Sequence, residues 1–399
     1  MWSRLAVRRT RRFSSIKQLA SIGLSEEQRE FQQLAREFSQ KELAPYASKW
    51  DEDKLFPVET LRKAAELGFA GVYVSSEYGG TGLGRKDAAV IFEQLSMGCV
   101  GSTAYLTIHN MCSWILDSFG NEEQKAKYLI QLTSLDLFSS YCLTEPGSGS
   151  DAASLSTTAK RVGNSYVLNG SKAFISGGGV SDVYFVMART SEDPGPNGIS
   201  CFLVEKGFKG LSFGANEKKM GWNCQPTAMV IMEDCEVPAA NMIGKPGDGF
   251  KIAMKALDGG RINIGVCSVG AAQACLEAAV DHVKVRKQFG KTLDSFQHLR
   301  FKIADMATEI NLARLSIFQA AELLDNKDPL ANTAAAMAKR VATDMGFKVC
   351  NEAMQLFGGY GYLKDYPVER FCRDVRVHQI LEGTNEIMRL VISRNILKE

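Results

Sequence analysis

The chain has 399 residues, 45% hydrophobic and 23% charged, with a net charge of +2. That length can bury two or three cores, and the balance is that of a globular protein in water. No apolar run reads as long enough to cross a bilayer, and a basic arm of +6 hides a mildly acidic body of −4, which does not suit a nucleic-acid binder.

The arm is residues 1–25. It contains Arg4, Arg8, Arg9, Arg11, Arg12 and Lys17, several serines, and no Asp or Glu. That is the composition of a mitochondrial transit peptide and implies a matrix address. Ser25-x-x-Gln28 then reads as a capping box, and Phe31, Leu34, Ala35 and Phe38 keep the helical period. Further helices fit 58–67, 86–97, 103–119 and 122–132, so residues 26–137 form a helical domain.

The pattern changes near Phe138. Apolar residues at 166–168 and 173–175 flank Asn169-Gly170, a hairpin signal. Strands also fit 183–188, 199–204 and 228–237, with Pro194-Gly195-Pro196-Asn197-Gly198 as a turn. No helix separates them, so residues 138–240 form an antiparallel barrel or sandwich. Long amphipathic helices fit 249–258, 262–286, 296–326 and 329–357, and a last one follows Glu382. Residues 241–399 are therefore a bundle of four or more helices, and the fold class is α+β. The ten cysteines have no C-x-x-C and mostly sit among apolar neighbours, so they read as reduced core residues. The four histidines are scattered, and no metal is expected.

Several stretches carry chemistry. Glu382 lies between apolar Ile380-Leu381 and Gly383. It is either a glutamate in a surface loop or a partly desolvated carboxylate with a raised pKa, the state a base needs to take a proton from carbon. Thr384 fits as N-cap of the last helix, and Glu386 as an acid in its first turn. Residues 143–152 satisfy G-x-G-x-x-A, but strands follow where a nucleotide-binding helix would begin, so a Rossmann site is rejected. The stretch is a flexible loop, or else Thr144, Ser148, Ser150 and glycine amides are donors for a flavin edge or a pyrophosphate. Phe174 and Ser176 share one strand face, for core packing or for stacking on a flavin. Arg286 at a helix end complements the dipole or grips a phosphate. Gly358-Gly359 ends a helix or admits a ligand close to the backbone.

Y-C-L-T-E-P-G-S-G-S-D at 141–151, N-G-S-K-A-F-I-S-G at 169–177, R-K-Q-F-G at 286–290, Q-L-F-G-G-Y-G-Y at 355–362 and L-E-G-T-N-E at 381–386 occur in that order. Together they resemble the acyl-CoA dehydrogenase family, across essentially the whole chain after the arm. I-H-N-M-C at 108–112, D-S-F-G-N-E-E-Q at 117–124, G-G-R-I-N-I at 259–264 and R-V-H-Q-I-L-E-G at 376–383 narrow the resemblance to members acting on short branched acyl groups.

The resemblance implies an FAD enzyme with an N-terminal helical domain, a middle antiparallel β domain and a C-terminal four-helix bundle. It implies α,β-dehydrogenation of an acyl-CoA, electron-transfer flavoprotein as acceptor, and a homotetramer. Glu382 matches the catalytic base. Tyr141, Cys142, Leu143, Thr144, Gly149 and Ser150 match the flavin loop, with Ser150 also near the acyl-CoA. Phe174, Ile175 and Ser176 match residues against the ring, where many relatives have Trp first. Arg286, Gln288, Phe289, Phe296 and Gln297, with Gln355, Leu356, Phe357, Gly358 and Gly359, match a flavin-phosphate and adenosine region supplied by a neighbouring subunit. Thr384, Asn385 and Glu386 match another flavin contact. Asp258, Gly259, Gly260, Arg261, Gly383 and Arg394 match substrate-binding positions, and Asp258 stands where close relatives often have Asn.

Some members carry the base immediately before the arginine matching Arg261. Here that residue is Gly260, which leaves Glu382 as the family-consistent base. Leu95, Tyr105 and Phe357 are candidates to line the acyl pocket. Short straight-chain and 2-methylbutyryl substrates are alternatives. So are an acyl-CoA oxidase and a non-catalytic assembly factor. An oxidase is usually longer and routed to peroxisomes, whereas this chain ends Leu397-Lys398-Glu399. The retained base and flavin motifs disfavour an assembly factor.

Overall fold

The computed structural model describes residues 19–193 and 195–397. The basic residues of the arm, and with them the transit-peptide expectation, lie outside the described residues. Ser25 accepts from the Gln28 amide at 3.1 Å while Gln28 Oε1 accepts from the Ser25 amide at 3.2 Å. This reciprocal cap starts α1, Glu26–Phe38. Helices α2 (Ala47–Asp53), α3 (Val58–Glu66), α4 (Arg85–Ser96), α5 (Val100–Phe119) and α6 (Glu122–Thr133) complete the N-terminal helical domain.

The middle domain is an eight-stranded sheet: β1 Ser139–Cys142, β2 Thr158–Val162, β3 Ser165–Ser176, β4 Val183–Arg189, β5 Ile199–Glu205, β6 Leu211–Phe213, β7 Thr227–Pro238 and β8 Met242–Ile243. Its order is β6-β7-β3-β2-β4-β5-β8, with β1 on β4. The pairing is mostly antiparallel, but β1 runs parallel to β4, with Tyr141 opposite Phe185. The sheet is therefore mixed. β1 enters directly from the helical domain, and the long β2–β3 excursion that separates it from β4 permits the parallel pair.

Asn169-Gly170 is not a hairpin turn. β3 runs through it unbroken, and the register against β7 shifts there. Gly170 has φ +144°, and a Cβ at this position would collide with Thr157. The Asn169 side chain donates to Asp234 at 3.1 Å and accepts from the Asp234 amide at 2.8 Å. The Asn-Gly pair supplies its unusual backbone to a bulge inside the strand.

The C-terminal domain contains α7 (Gly249–Val285), a small hairpin of β9 (Lys287–Gln288) and β10 (Lys291–Thr292), α8 (Gln297–Asp325), α9 (Ala331–Phe357), α10 (Val368–Arg376) and α11 (Asn385–Leu397). α7 is one 37-residue helix, not two. Gly259-Gly260 stay helical despite a cost of about 1 kcal/mol per glycine, because neighbouring side chains pack directly onto both. By length and apolarity α7 could span a membrane, yet 83% of its apolar window is buried, so it is the core helix of the bundle. α10 was not legible in the sequence pattern. One hydrophobic cluster joins the N-terminal helices to the bundle, and another collects Cys112 and Ile115 of α5, Phe185 and Met187 of β4, and Ile252 and Ala253 of α7. The candidate site lies at this three-way junction.

Candidate active site

Glu382 occupies the short link between a 3-10 turn at Val377–Gln379 and α11. Its φ is +57°, and Gly383 follows at +87°. A left-handed backbone at a glutamate is strained and marks a segment held by its surroundings. The holding group is Lys339 of α9, fully buried, whose Nζ donates to the Gly383 carbonyl at 2.8 Å and to Asn385 Oδ1 at 2.9 Å. Asn385 Nδ2 in turn donates to Thr343 Oγ1 and Asp344 Oδ1. Thr384 Oγ1 accepts from the Ile387 amide at 3.3 Å, the expected N-cap.

The Glu382 carboxylate turns inward over α7. A Cβ at Gly260 would overlap it. Oε2 is out of reach of water and has no hydrogen-bond partner among the described residues. Burial pushes this carboxyl up to about 7, against the opposing charges of Arg261 and Lys339. Glu382 is thus a desolvated carboxylate, and the surface-loop reading fails. Tyr141, half-buried on β1, reaches the Ala253 carbonyl of α7 at 3.5 Å, and its hydroxyl is raised by burial first and by Glu382 second.

Arg261 Nη1 pairs with Asp258 at 2.9 Å, and Asn332 donates to the same Asp258 oxygen at 2.6 Å. Burial raises the Asp258 pKa. Arg261 Nε has no partner among the described residues. Arg394 is exposed on α11, where its neighbour Asn395 docks on Asn332. Gly259 faces the Arg85 guanidinium, which lies 3.7 Å from the Tyr73 ring centre and 4.9 Å from that of Trp114. These side chains flank the glycine pair. Leu95 is buried in the helical core and Tyr105 is bonded behind β1 to Ser139 and Ser181.

After β1, residues 143–150 form a folded loop. Glu145 and Ser148 exchange backbone hydrogen bonds, and the Ala173 amide donates to the Thr144 carbonyl. Glu145 anchors the loop: it accepts from the Ser156 and Thr157 amides and from Lys172 Nζ at 2.7 Å, and Lys172 also donates to the Leu143 carbonyl. Burial opposes ionisation of Glu145, but Lys172 and these donors outweigh it and hold the carboxyl at about 2. Cys142 and Ile175 are buried in the sheet core and Leu143 in the cluster between the sheet and the helices, so their side chains are taken up by packing. Phe174 sits at a bulge with φ +58° and is 70% exposed. It is therefore not a core residue. Among the described residues the hydroxyls of Thr144, Ser150 and Ser176 have no hydrogen-bond partner. Gly147 and Gly149 face open space. Free hydroxyls, open glycines and a displayed ring suit a flat, polar-edged ligand such as a flavin.

Arg286, Gln288, Gln355, Leu356, Phe357, Gly358 and Gly359 gather elsewhere, around a cavity of about 570 Å³. Arg286 stacks on Tyr360, and Phe357 on His282 at 4.3 Å, which removes Phe357 from the acyl pocket. Phe289 is 90% exposed at the β9–β10 tip, 6.2 Å from Phe296, beside exposed Gln297. This cluster lies 26 residues along α7 from Gly260, about 39 Å at the helical rise. One ligand cannot touch both clusters within a single chain.

Family models for the N-terminal, middle and C-terminal domains of acyl-CoA dehydrogenase match residues 25–136, 140–235 and 247–397. The chain belongs to the acyl-CoA dehydrogenase family. It is 57% identical to a protein named mitochondrial isobutyryl-CoA dehydrogenase from Dictyostelium discoideum, over 98% of this chain and 94% of that one. The protein of the same name from Bos taurus is 58% identical over 95% and 91%. Butyryl-CoA dehydrogenase from Megasphaera elsdenii superposes with a TM-score of 0.91 at 39% identity, covering 94% of this chain and 99% of that one. This acyl-CoA dehydrogenase-family chain is accordingly an oxidoreductase, with the family's three-domain architecture.

The sequence reading missed Lys339, Lys172 and Asn332. A signal existed for Lys339: it lies on a helical stripe with Ala335, Ala338 and Ala342, all buried.

Proposed function

We propose that the chain oxidises isobutyryl-CoA to methacrylyl-CoA in valine breakdown in the mitochondrial matrix. FAD is the cofactor, electron-transfer flavoprotein the electron acceptor, and a homotetramer the working form. The observation that carries this reading is the Glu382 carboxylate, buried over Gly260 with an unpartnered Oε2 and a pKa pushed up to about 7. The 57% and 58% identities support the substrate, the mitochondrial setting and the resemblance on which the acceptor rests.

Glu382 is poised to take the α-proton of the thioester: a base near neutrality is half ionised at working pH and strong enough once desolvated. Bound FAD supplies the two-electron acceptor for the hydride leaving the β-carbon. Phe174 presents a face for the ring, and Thr144, Ser150, Ser176 and the open glycines offer donors to its polar edge. By resemblance to the family, the Glu382 backbone amide would donate to the thioester oxygen, where negative charge grows as the proton leaves. Arg261 and Asp258 suit the polar portion of coenzyme A. Arg286, Phe289 and the Gln355–Gly359 segment suit the far half of a dinucleotide held by a second subunit, because 39 Å of α7 separates them from Glu382.

A difference of one methylene is worth only about 1–3 kcal/mol. Comparing kcat/KM for isobutyryl-, butyryl- and 2-methylbutyryl-CoA therefore tests the substrate. Isobutyryl-CoA is expected to lead by about tenfold or more, and a lead by either other thioester overturns the assignment.

A further inference from the structure

Lys339 is 0% exposed, and among the described residues no carboxylate pairs with it. Its surroundings on α9 are buried alanines at 335, 336, 338 and 342. Burying an ammonium without a paired anion is unfavourable, and a neutral amide would serve a merely structural clamp. The two acceptors it does have, the Gly383 carbonyl and Asn385 Oδ1, sit on either side of Thr384, immediately after the base. Gly383, the second residue of the strained pair, and Asn385 at the start of α11 are thereby held from one point.

We propose that Lys339 is a positioning residue for the base: one buried ammonium holds the left-handed Glu382-Gly383 turn through the Gly383 carbonyl and Asn385, and adds to Arg261 the positive charge against which the Glu382 carboxylate ionises. The proposal rests on Glu382 being the base. Charged and titratable groups face the pair from every side. Arg261 on α7 acts on Glu382 and also on Lys339. Tyr141 on β1 and Cys112 on α5 face Glu382. Asp344 on α9 and Glu386 on α11 act on Lys339, and Lys339 acts on His378. Burial lowers Lys339 to about 8, so it still carries its proton where Glu382 titrates near 7. Arg261 is the first opposing charge on Glu382 and is itself paired with Asp258; Lys339 is the second and has no ion pair among the described residues.

The test is stopped-flow reduction of the bound flavin by isobutyryl-CoA, without oxygen, from pH 5.5 to 9, in holoenzyme carrying Lys339→Gln, Lys339→Met or Lys339→Arg. The neutral variants are expected to move the acid limb of the rate upward by about one pH unit, so that reduction at pH 6 falls about tenfold relative to wild type. Lys339→Arg keeps the limb in place. Lys339→Met, which suits the alanine surroundings, gives the same reading if Lys339→Gln does not retain FAD. At pH 8.5 Lys339→Gln is faster than Lys339→Met, because glutamine still donates a hydrogen bond to the turn. An acid limb at the wild-type pH in a neutral variant overturns the proposal. Glu382→Gln, run alongside, separates the two ideas: near-normal reduction there would remove the base itself, whatever Lys339 does.

Discussion

Glu382 combines a left-handed backbone with a carboxylate pulled out of water, and each is unfavourable by itself. The backbone alone costs about 1–3 kcal/mol. The carboxylate adds a pH-dependent part whose sign can be worked out. Its folded pKa, about 7, stands above the ordinary carboxylate value, so the folded state binds the extra proton between about 4.5 and 7. Stability from this group is fully present below 4.5 and is lost as pH rises through 7. Glu382→Gln removes the charge and therefore melts at a higher temperature than wild type at pH 8, with the two converging near pH 4. Thermal melts at the two pH values check this. Glu382 as the candidate base was legible in the sequence, from L-E-G-T-N-E and from Gly260 before Arg261, and the burial of its carboxylate over Gly260 supports that proposal. Lys339 was not legible, because a lysine in a helix reads as a solvated side chain unless its alanine neighbours are known to be inside.

The elements place these residues through close approach. α7 remains a single helix across Gly259-Gly260, with Arg85 on one glycine and Glu382 on the other. Gly260→Ala puts a methyl where the carboxylate lies. The carboxylate is the free end of a flexible side chain and can swing aside. The expected result is a fold within about 1 kcal/mol of wild type and flavin reduction slowed by about a hundredfold. Comparing melting temperature with the single-turnover rate checks both halves. Helix periods and capping boxes made α1, α4, α5, α6 and the three long C-terminal helices legible. Asn169-Gly170 misled because the same left-handed preference serves a bulge as well as a turn. Which one forms is decided by Thr157 and Asp234, which arrive from elsewhere in the sheet. The parallel β1–β4 pair was invisible for the same reason: its partners are set by the packing of α5, α6 and α7 around it.

At the scale of the whole molecule, the separation of about 39 Å along α7 between Glu382 and the Arg286 cluster is the ground for the proposal that each complete site draws on two chains. Glu382→Gln and Arg286→Ala are each expected to be nearly inactive. Co-assembled in equal amounts, they regain roughly a quarter of the wild-type activity, because mixed pairs contain one site with both residues intact. Activity no greater than that of the separate variants would show that each chain builds its site alone. The most direct test of the mechanism is the anaerobic mixing of Glu382→Gln holoenzyme with isobutyryl-CoA, followed by the flavin absorbance. The variant is predicted to retain FAD and bind the thioester while bleaching at least about a thousandfold more slowly than wild type. Bleaching at the wild-type rate would contradict the role of Glu382 as the group that removes the α-proton.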